Sequence, residues 1–189
     1  NQVFNDWLNN AVSLDGAHIR LTLNSTAYFE RIFSIKLSKA AGTENNGLRL
    51  RFDPDGGQLA ISVDGKPIDH TGYKEYLGDP YFNRIVIPNV LNKNTSTYDV
   101  RFHVTANNSL IVIINGYSVA ISSEELAKSS YLGDMSKLYF HIAPDGGALD
   151  YTLNCFHGGS ACYDDIGSLI GGIKALDVNS ADFVANALD

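Results

Sequence analysis

The sequence predicts an all-β protein: a two-sheet antiparallel jelly-roll sandwich with short helices at its N- and C-terminal ends. Three observations carry this. Apolar residues recur at every second position through about ten short runs, the period of a strand with one buried and one solvated face. Turn formers punctuate those runs: the chain holds 17 Gly, 17 Asn and 16 Asp but only five Glu, and turns favour the first three while helices favour Glu. Finally, 189 residues at 44% hydrophobic and 19% charged suffice for one well-buried core. Residues 1–189 are therefore expected to form a single domain, with the sandwich body over 17–155 and a Cys loop and helical tail over 156–189.

The elements follow in order. Val3-Phe4-Asn5-Asp6-Trp7-Leu8 spaces its apolar residues as a short amphipathic helix would. Strict alternation then begins with Ala17–Leu23, continues through Phe33–Leu37, Leu48–Phe52 and Leu59–Val63, and resumes at Arg84–Ile87. Tyr98–Val104, Leu110–Ile114, Tyr117–Ile121, Leu138–Ile142 and Leu149–Leu153 complete the set. Asp64-Gly65 and Asn115-Gly116 are turn dipeptides, because Gly and Asn tolerate positive φ. Pro-Asp-Gly-Gly occurs at 54–57 and again at 144–147, and Tyr-Leu-Gly-Asp at 76–79 and 131–134. The two recurrences have different spacings, so they mark similar loops and no tandem repeat. Ser122 followed by Glu124 and Glu125 predicts one interior helix start. Beyond Cys162 the spacing of Ile166, Leu169, Ile170 and Ile173 is helical, and Asn179-Ser180 would cap a last short helix.

Charge and processing narrow the function. A net charge of -7 and a pI near 5.1 argue against a DNA-wrapping protein, and nucleic acid is not an expected partner. No apolar run approaches the ~18 residues of a transmembrane helix. The chain opens Asn1-Gln2-Val3 without an initiator Met, which reads as a processed or excised form. Cys155 and Cys162 flank a Gly-rich loop and are close enough for a local disulfide, worth about 2–3 kcal/mol in the chain-entropy model. Two free thiols, or a metal pair with His157, are the alternatives. Asn24, Asn94 and Asn107 each begin a glycosylation sequon. Together these features lead to the expectation of a secreted or cell-surface glycoprotein.

Three segments carry a family resemblance. Tyr98-Asp99-Val100-Arg101-Phe102-His103-Val104, then Leu110 through Asn115-Gly116-Tyr117, then Lys137-Leu138-Tyr139-Phe140-His141-Ile142 resemble the second half of galectin and laminin-G-type modules of the concanavalin A-like group. Leu48-Arg49-Leu50-Arg51-Phe52-Asp53 is similar to a galectin strand. The resemblance is one of pattern and spans about residues 17–155. It implies the sandwich fold, and a lectin-like or adhesion role. Galectins carry a His-x-Asn-x-Arg strand and a Trp-x-x-Glu-x-Arg strand for β-galactosides. Both are absent here, where the single Trp is Trp7, so that sugar specificity does not transfer.

The polar phase of the strands is the most informative feature. Side chains at i and i+2 share a face. This phase collects His18, Arg20, Thr22, Lys36, Arg49, Arg51, Arg101, His103, Tyr139 and His141, which include five of the 14 Lys and Arg and three of the five His. If these strands share one sheet, its outer surface is a basic face on an acidic protein. Guanidinium groups bind carboxylate or sulfate bidentately, imidazoles bond hydroxyls, and a Tyr ring stacks on a sugar. The alternative is a set of solubilising and edge-protecting side chains. A second aromatic cluster, Tyr73, Tyr76, Tyr81 and Phe82, with Asn83 and Arg84, reads either as an edge cover or as a stacking platform. The candidate ligand-binding set is therefore Arg49, Arg51, Arg101, His103, Tyr139, His141, Tyr81, Asn83 and Arg84.

Catalysis is not the expected role. Glycosidases need a carboxylate pair, and four of the five Glu (Glu44, Glu75, Glu124, Glu125) fall in predicted turns, loops or the helix, while Glu30 lies at a strand edge. A polysaccharide lyase acting on an acidic polymer would draw on Arg101, His103, Tyr139 and His141 for charge neutralisation and proton transfer, although the Arg-x-Glu-x-Arg and Gln-x-His strands of such enzymes are missing. Asp53 and Asp55, or Asp145 and Asp150, are candidates for calcium, with ordinary hairpin turns as the competing explanation. The expectation is a non-catalytic module that binds a glycan, anionic groups included, with calcium as the one candidate cofactor. A laminin-G-type module that binds a protein partner is the alternative.

Overall fold

A computed structural model describes residues 6–8, 11–43, 46–54, 57–69, 84–86 and 91–158, with the backbone alone for 6–7 and 84–86. Twelve strands dominate it. One antiparallel sheet has seven strands: β1 (Asp6–Trp7), β11 (Tyr139–Pro144), β3 (Phe33–Ser38), β4 (Leu48–Asp53) and β5 (Gln58–Val63) in spatial order, with β6 (Lys66–Pro67) and β7 (Arg84–Val86) both on the far edge of β5. The other has five, in the order β10 (Tyr117–Ile121), β9 (Leu110–Ile114), β8 (Thr97–Val104), β2 (His18–Leu23) and β12 (Tyr151–His157).

All ten predicted strands are present, the last shifted to Tyr151–His157, and those from β2 to β5 and from β8 to β11 bury the apolar phase read from the sequence. The inward rows close on one another through aromatic contacts. Phe33 and Phe52 of the seven-stranded sheet stack at 5.0 Å, and Tyr98 of the five-stranded sheet meets both edge-on at 4.9 and 5.3 Å. Nearer the other end of the core, Phe140 meets Phe102 at 5.4 Å and Phe156 at 5.0 Å. Edge-to-face pairs are worth about 0.5–1.5 kcal/mol beyond their buried area. The hairpins use the turn chemistry their residues allow. Asp64-Gly65 has φ of 49° and 83°, and Asn115-Gly116 has 47° and 87°, so both are type I′ turns whose twist suits adjoining strands. Ser122 caps the short helix α1 (Ser123–Leu126), its hydroxyl accepting from the Glu125 amide at 3.2 Å.

The N-terminal expectation needs correction. Asp6 and Trp7 are not helical; they pair with Ile142 and His141 as an edge strand, and the Leu8 amide donates to the Phe140 carbonyl at 2.8 Å. The run is short, so its weak helical period competes poorly with the unpaired backbone edge of β11, which offers direct hydrogen bonds. The predicted helical tail lies outside the described residues, while β12 carries the sandwich on to His157.

Candidate functional site

The strands carrying the predicted polar residues divide between the two sheets. β3, β4 and β11, with Lys36, Arg49, Arg51, Tyr139 and His141, belong to the seven-stranded sheet. β2 and β8, with His18, Arg20, Thr22, Arg101 and His103, belong to the five-stranded sheet. The outward faces of a sandwich look away from each other with the core between. The single basic face is therefore two faces. The proposed lyase set is split in the same way: Arg101 and His103 cannot meet a substrate held by Tyr139 and His141. His141 is moreover fully buried.

On the seven-stranded sheet the register builds a cross-strand row. His141 lies opposite Lys36, Lys36 opposite Arg49, and Arg49 opposite Ser62. Directly opposed side chains have Cβ atoms about 4.5–5.5 Å apart. The next row sets Ala143 against Ser34, Ser34 against Arg51 and Arg51 against Ala60. Three strands thus converge on Arg49. Its Nε donates to the Ser34 hydroxyl at 2.8 Å and its Nη2 pairs with Asp145 at 2.5 Å, while Ser34 donates to the other Asp145 oxygen. Asp145 follows β11 directly and is nearly buried. Asp53 ends β4 in the same phase as Arg49 and Arg51, and accepts from the Tyr28 hydroxyl at 3.1 Å. Both Asp53 and Asp145 thus accept side-chain hydrogen bonds, Asp145 within an ion pair; Asp55, the second calcium candidate, lies outside the described residues. Lys36, Gly47, Arg49, Ser62 and Gly65 border a cleft of about 20 Å³, about the room one water needs. Much of the described part of this face is covered: Ser34 and His141 are fully buried and Lys36 and Asp53 nearly so, while Arg49, Arg51 and Tyr139 are partly exposed.

The opposite face is organised around one carboxylate. Asp99 of β8 accepts from His18 Nε2 at 2.8 Å and Arg20 Nε at 3.1 Å on one oxygen, and from Arg101 Nε at 3.1 Å on the other. Burial would push the Asp99 carboxyl up, but the bond from His18 and the charges around it hold it well below the usual carboxylate range. A carboxylate only accepts, so His18 carries its proton on Nε2. Burial lowers the His18 pKa, against the opposing pull of Asp99. His103 is exposed and meets Asp15 at 3.2 Å. Arg20 and Arg101 both serve this internal network, which gives them a structural role.

Of the aromatic loop cluster, Tyr73, Tyr76, Tyr81, Phe82 and Asn83 lie outside the described residues; Arg84 starts β7, opposite Ala60. The exposed aromatics that are described were not among the predicted ones. Tyr28 and Phe29, in a single 3-10 turn between β2 and β3, are 42% and 67% exposed. The available signal was two adjacent aromatics in a connector, where alternation can bury at most one. A larger cavity of about 410 Å³ lies elsewhere, over Leu126, Leu132 and Met135. Its charged lining is Glu124 and Asp134, and none of the predicted binding residues borders it. Neither observation joins it to the polar rows of the seven-stranded sheet, so size alone does not make it the site.

The fold and these faces define a two-sheet antiparallel β-sandwich of jelly-roll class. No protein-family model matches the chain, and no curated protein sequence matches it. Among solved structures it is similar to sheep galectin-11 in complex with glycerol, at 12% identity and a TM-score of 0.44, over 82% of this chain and 97% of that one. It is also similar to the carbohydrate recognition domain of Emp47p, at 13% identity and a TM-score of 0.36, over 73% and 76% of the two chains. Both are remote likenesses, and at such identities no residue transfers from either. Among the described residues, no helix is long and apolar enough to cross a membrane.

Proposed function

We propose that the outward face of the seven-stranded sheet binds a glycan, with a preference for chains bearing carboxylate or sulfate groups. The observation that carries this reading is the pair Arg49 and Arg51 on β4. They stand two residues apart in the outward phase of the strand, and both are partly exposed. Two guanidinium groups on one face suit a carboxylate or sulfate. Ser62, opposite Arg49 on β5, adds a hydroxyl on the same face. Binding is non-catalytic in this reading. It also needs no calcium, since Asp145 already neutralises Arg49.

The same reading takes the chain as secreted or displayed at a surface. Cys155, at the end of β12, is then joined to Cys162, and the exposed Asn24, Asn94 and Asn107 are open to glycosylation. A mass shift on reduction and alkylation, and another on enzymatic deglycosylation, would check these two features.

A glycan array carrying neutral and anionic chains, read at low and high salt with and without a chelator, tests the function. Hits on anionic chains that fade at high salt and ignore the chelator are expected, because charges beyond about 10 Å are screened at 0.1 M salt. Salt-insensitive hits on neutral chains alone would remove the anionic preference. Silence on every glycan would overturn the reading.

A further inference from the structure

The turn between β2 and β3 exposes two large aromatic rings beside the polar face, and they are held there firmly. Phe29 is 67% exposed and Tyr28 42%, with ring centroids 5.0 Å apart at an edge angle of 66°. The Tyr28 hydroxyl donates to Asp53 at 3.1 Å, at the end of β4. The Phe29 carbonyl accepts from the Gly147 amide at 2.9 Å. Gly146 lies so close that an added Cβ would stand 2.4 Å from the same carbonyl oxygen. Just before it in the chain comes Asp145, which grips Arg49 and Ser34. Two paths thus tie the turn to the polar rows, one through Asp53 and one through the 145–147 loop. Arg31, directly after the turn and nearly buried, donates to the carbonyls of Lys93 and Thr95 and fixes the entry to β3.

Leaving a Phe ring two-thirds exposed costs apolar hydration that a packed position would recover. Here the ring is exposed on a backbone that is anchored on both sides. A rigid aromatic needs little ordering on binding, so more of its contact area counts toward affinity.

The geometry points to a second contact for the glycan of the proposed site: Phe29, braced by Tyr28, stacks on the apolar face of a sugar ring beyond the one held at Arg49 and Arg51. This rests on the glycan-binding reading. Arg49 and Asp53 are four residues apart on one strand, about 13 Å. That exceeds a single sugar ring, so the turn would be reached only by a chain of several residues. Selection for chain length follows. The cationic rows would recognise the charged groups, and the turn would recognise length.

The test compares Phe29→Ala, Phe29→Trp and wild type on arrayed neutral and anionic glycans of one to six residues, with Gly146→Ala as a variant that displaces the turn. Phe29→Ala removes an exposed ring and leaves the core intact. It should weaken the longer chains about tenfold and leave mono- and disaccharides unchanged. Phe29→Trp should restore the long-chain signal, and Gly146→Ala should resemble Phe29→Ala. If Phe29→Ala binds every length as wild type does, the stacking role is wrong while the glycan-binding reading stands. If it weakens all lengths equally, selection for length is wrong. If wild type binds nothing on the array, both proposals fall together.

Discussion

Arg49 and Asp145 lie 96 residues apart in the chain and meet at 2.5 Å in the fold, across the intervening strand β3, whose Ser34 bonds to both. The pair orients the guanidinium on which the proposed site depends, and it anchors the loop that supports the exposed aromatic turn. Hydrogen bonds to charged groups contribute about 1.5–3 kcal/mol. Asp145→Ala should therefore lower the stability by about that amount in urea unfolding. It should also weaken glycan binding at both short and long chains, because the Arg49 rows and the turn are disturbed together.

The Asp99 network predicts the response to acid. His18 is held below its usual 6.5 by burial, so the folded state favours the neutral ring. Its contribution is complete above about pH 6.5 and is lost as pH falls through the folded value. Asp99 is held below its usual 3.8 despite burial, chiefly by the bond from His18. Its contribution is complete above about pH 4 and is lost below that. Stability measured by denaturant unfolding should be level above about pH 7, decline as His18 protonates, and decline again in stronger acid. Asp99→Asn should remove the lower step and cost about 3 kcal/mol at neutral pH, because Arg20 and Arg101 lose their shared partner.

Tyr98 offers a substitution that should stabilise. Its hydroxyl is buried with no hydrogen-bond partner among the described residues, and burial raises its pKa, so it stays protonated. An unpaired buried polar group costs about 1–3 kcal/mol. Tyr98→Phe keeps the ring that meets Phe33 and Phe52 and deletes only the oxygen. The melting temperature should rise by several degrees; a fall would mean the hydroxyl has a role that burial does not reveal.

Gly47 should tolerate no side chain. Its φ is +96°, and a Cβ would sit 2.0 Å from the Leu37 carbonyl oxygen. The Gly47 amide also donates to Asp64 at 2.6 Å, closing the β4 entry against the I′ turn. Gly47→Ala should cost about 3 kcal/mol or more, since positive φ alone costs about 1–3 and the clash is with backbone. The glycine borders the cleft beside Lys36 and Arg49, so glycan affinity should fall with it.

Strand existence and phase were legible because period two is a local signal. Leu48–Phe52 shows its buried and outward residues without reference to any other strand. Sheet membership was not legible. Whether Arg101 shares a face with Arg51 depends on pairings such as β8 with β2, about 80 residues apart, and no local pattern encodes that order. Counter-charges were missed for the same reason. Asp99 sits in the outward phase of Tyr98–Val104, and Asp145 in a turn tetrad, and neither reveals from sequence that it neutralises distant arginines. The Asp6–Trp7 strand was lost to a weak helical period, since it pairs with the distant strand β11.

The central claim is that the seven-stranded sheet, and not the five-stranded one, carries the glycan. Affinity for the strongest anionic hit on the array, measured by calorimetry at low salt, should fall at least about tenfold in Arg51→Ala and stay at the wild-type value in His103→Ala, which alters the opposite face. The reverse pattern, with His103→Ala crippled and Arg51→Ala unaffected, would contradict the assignment.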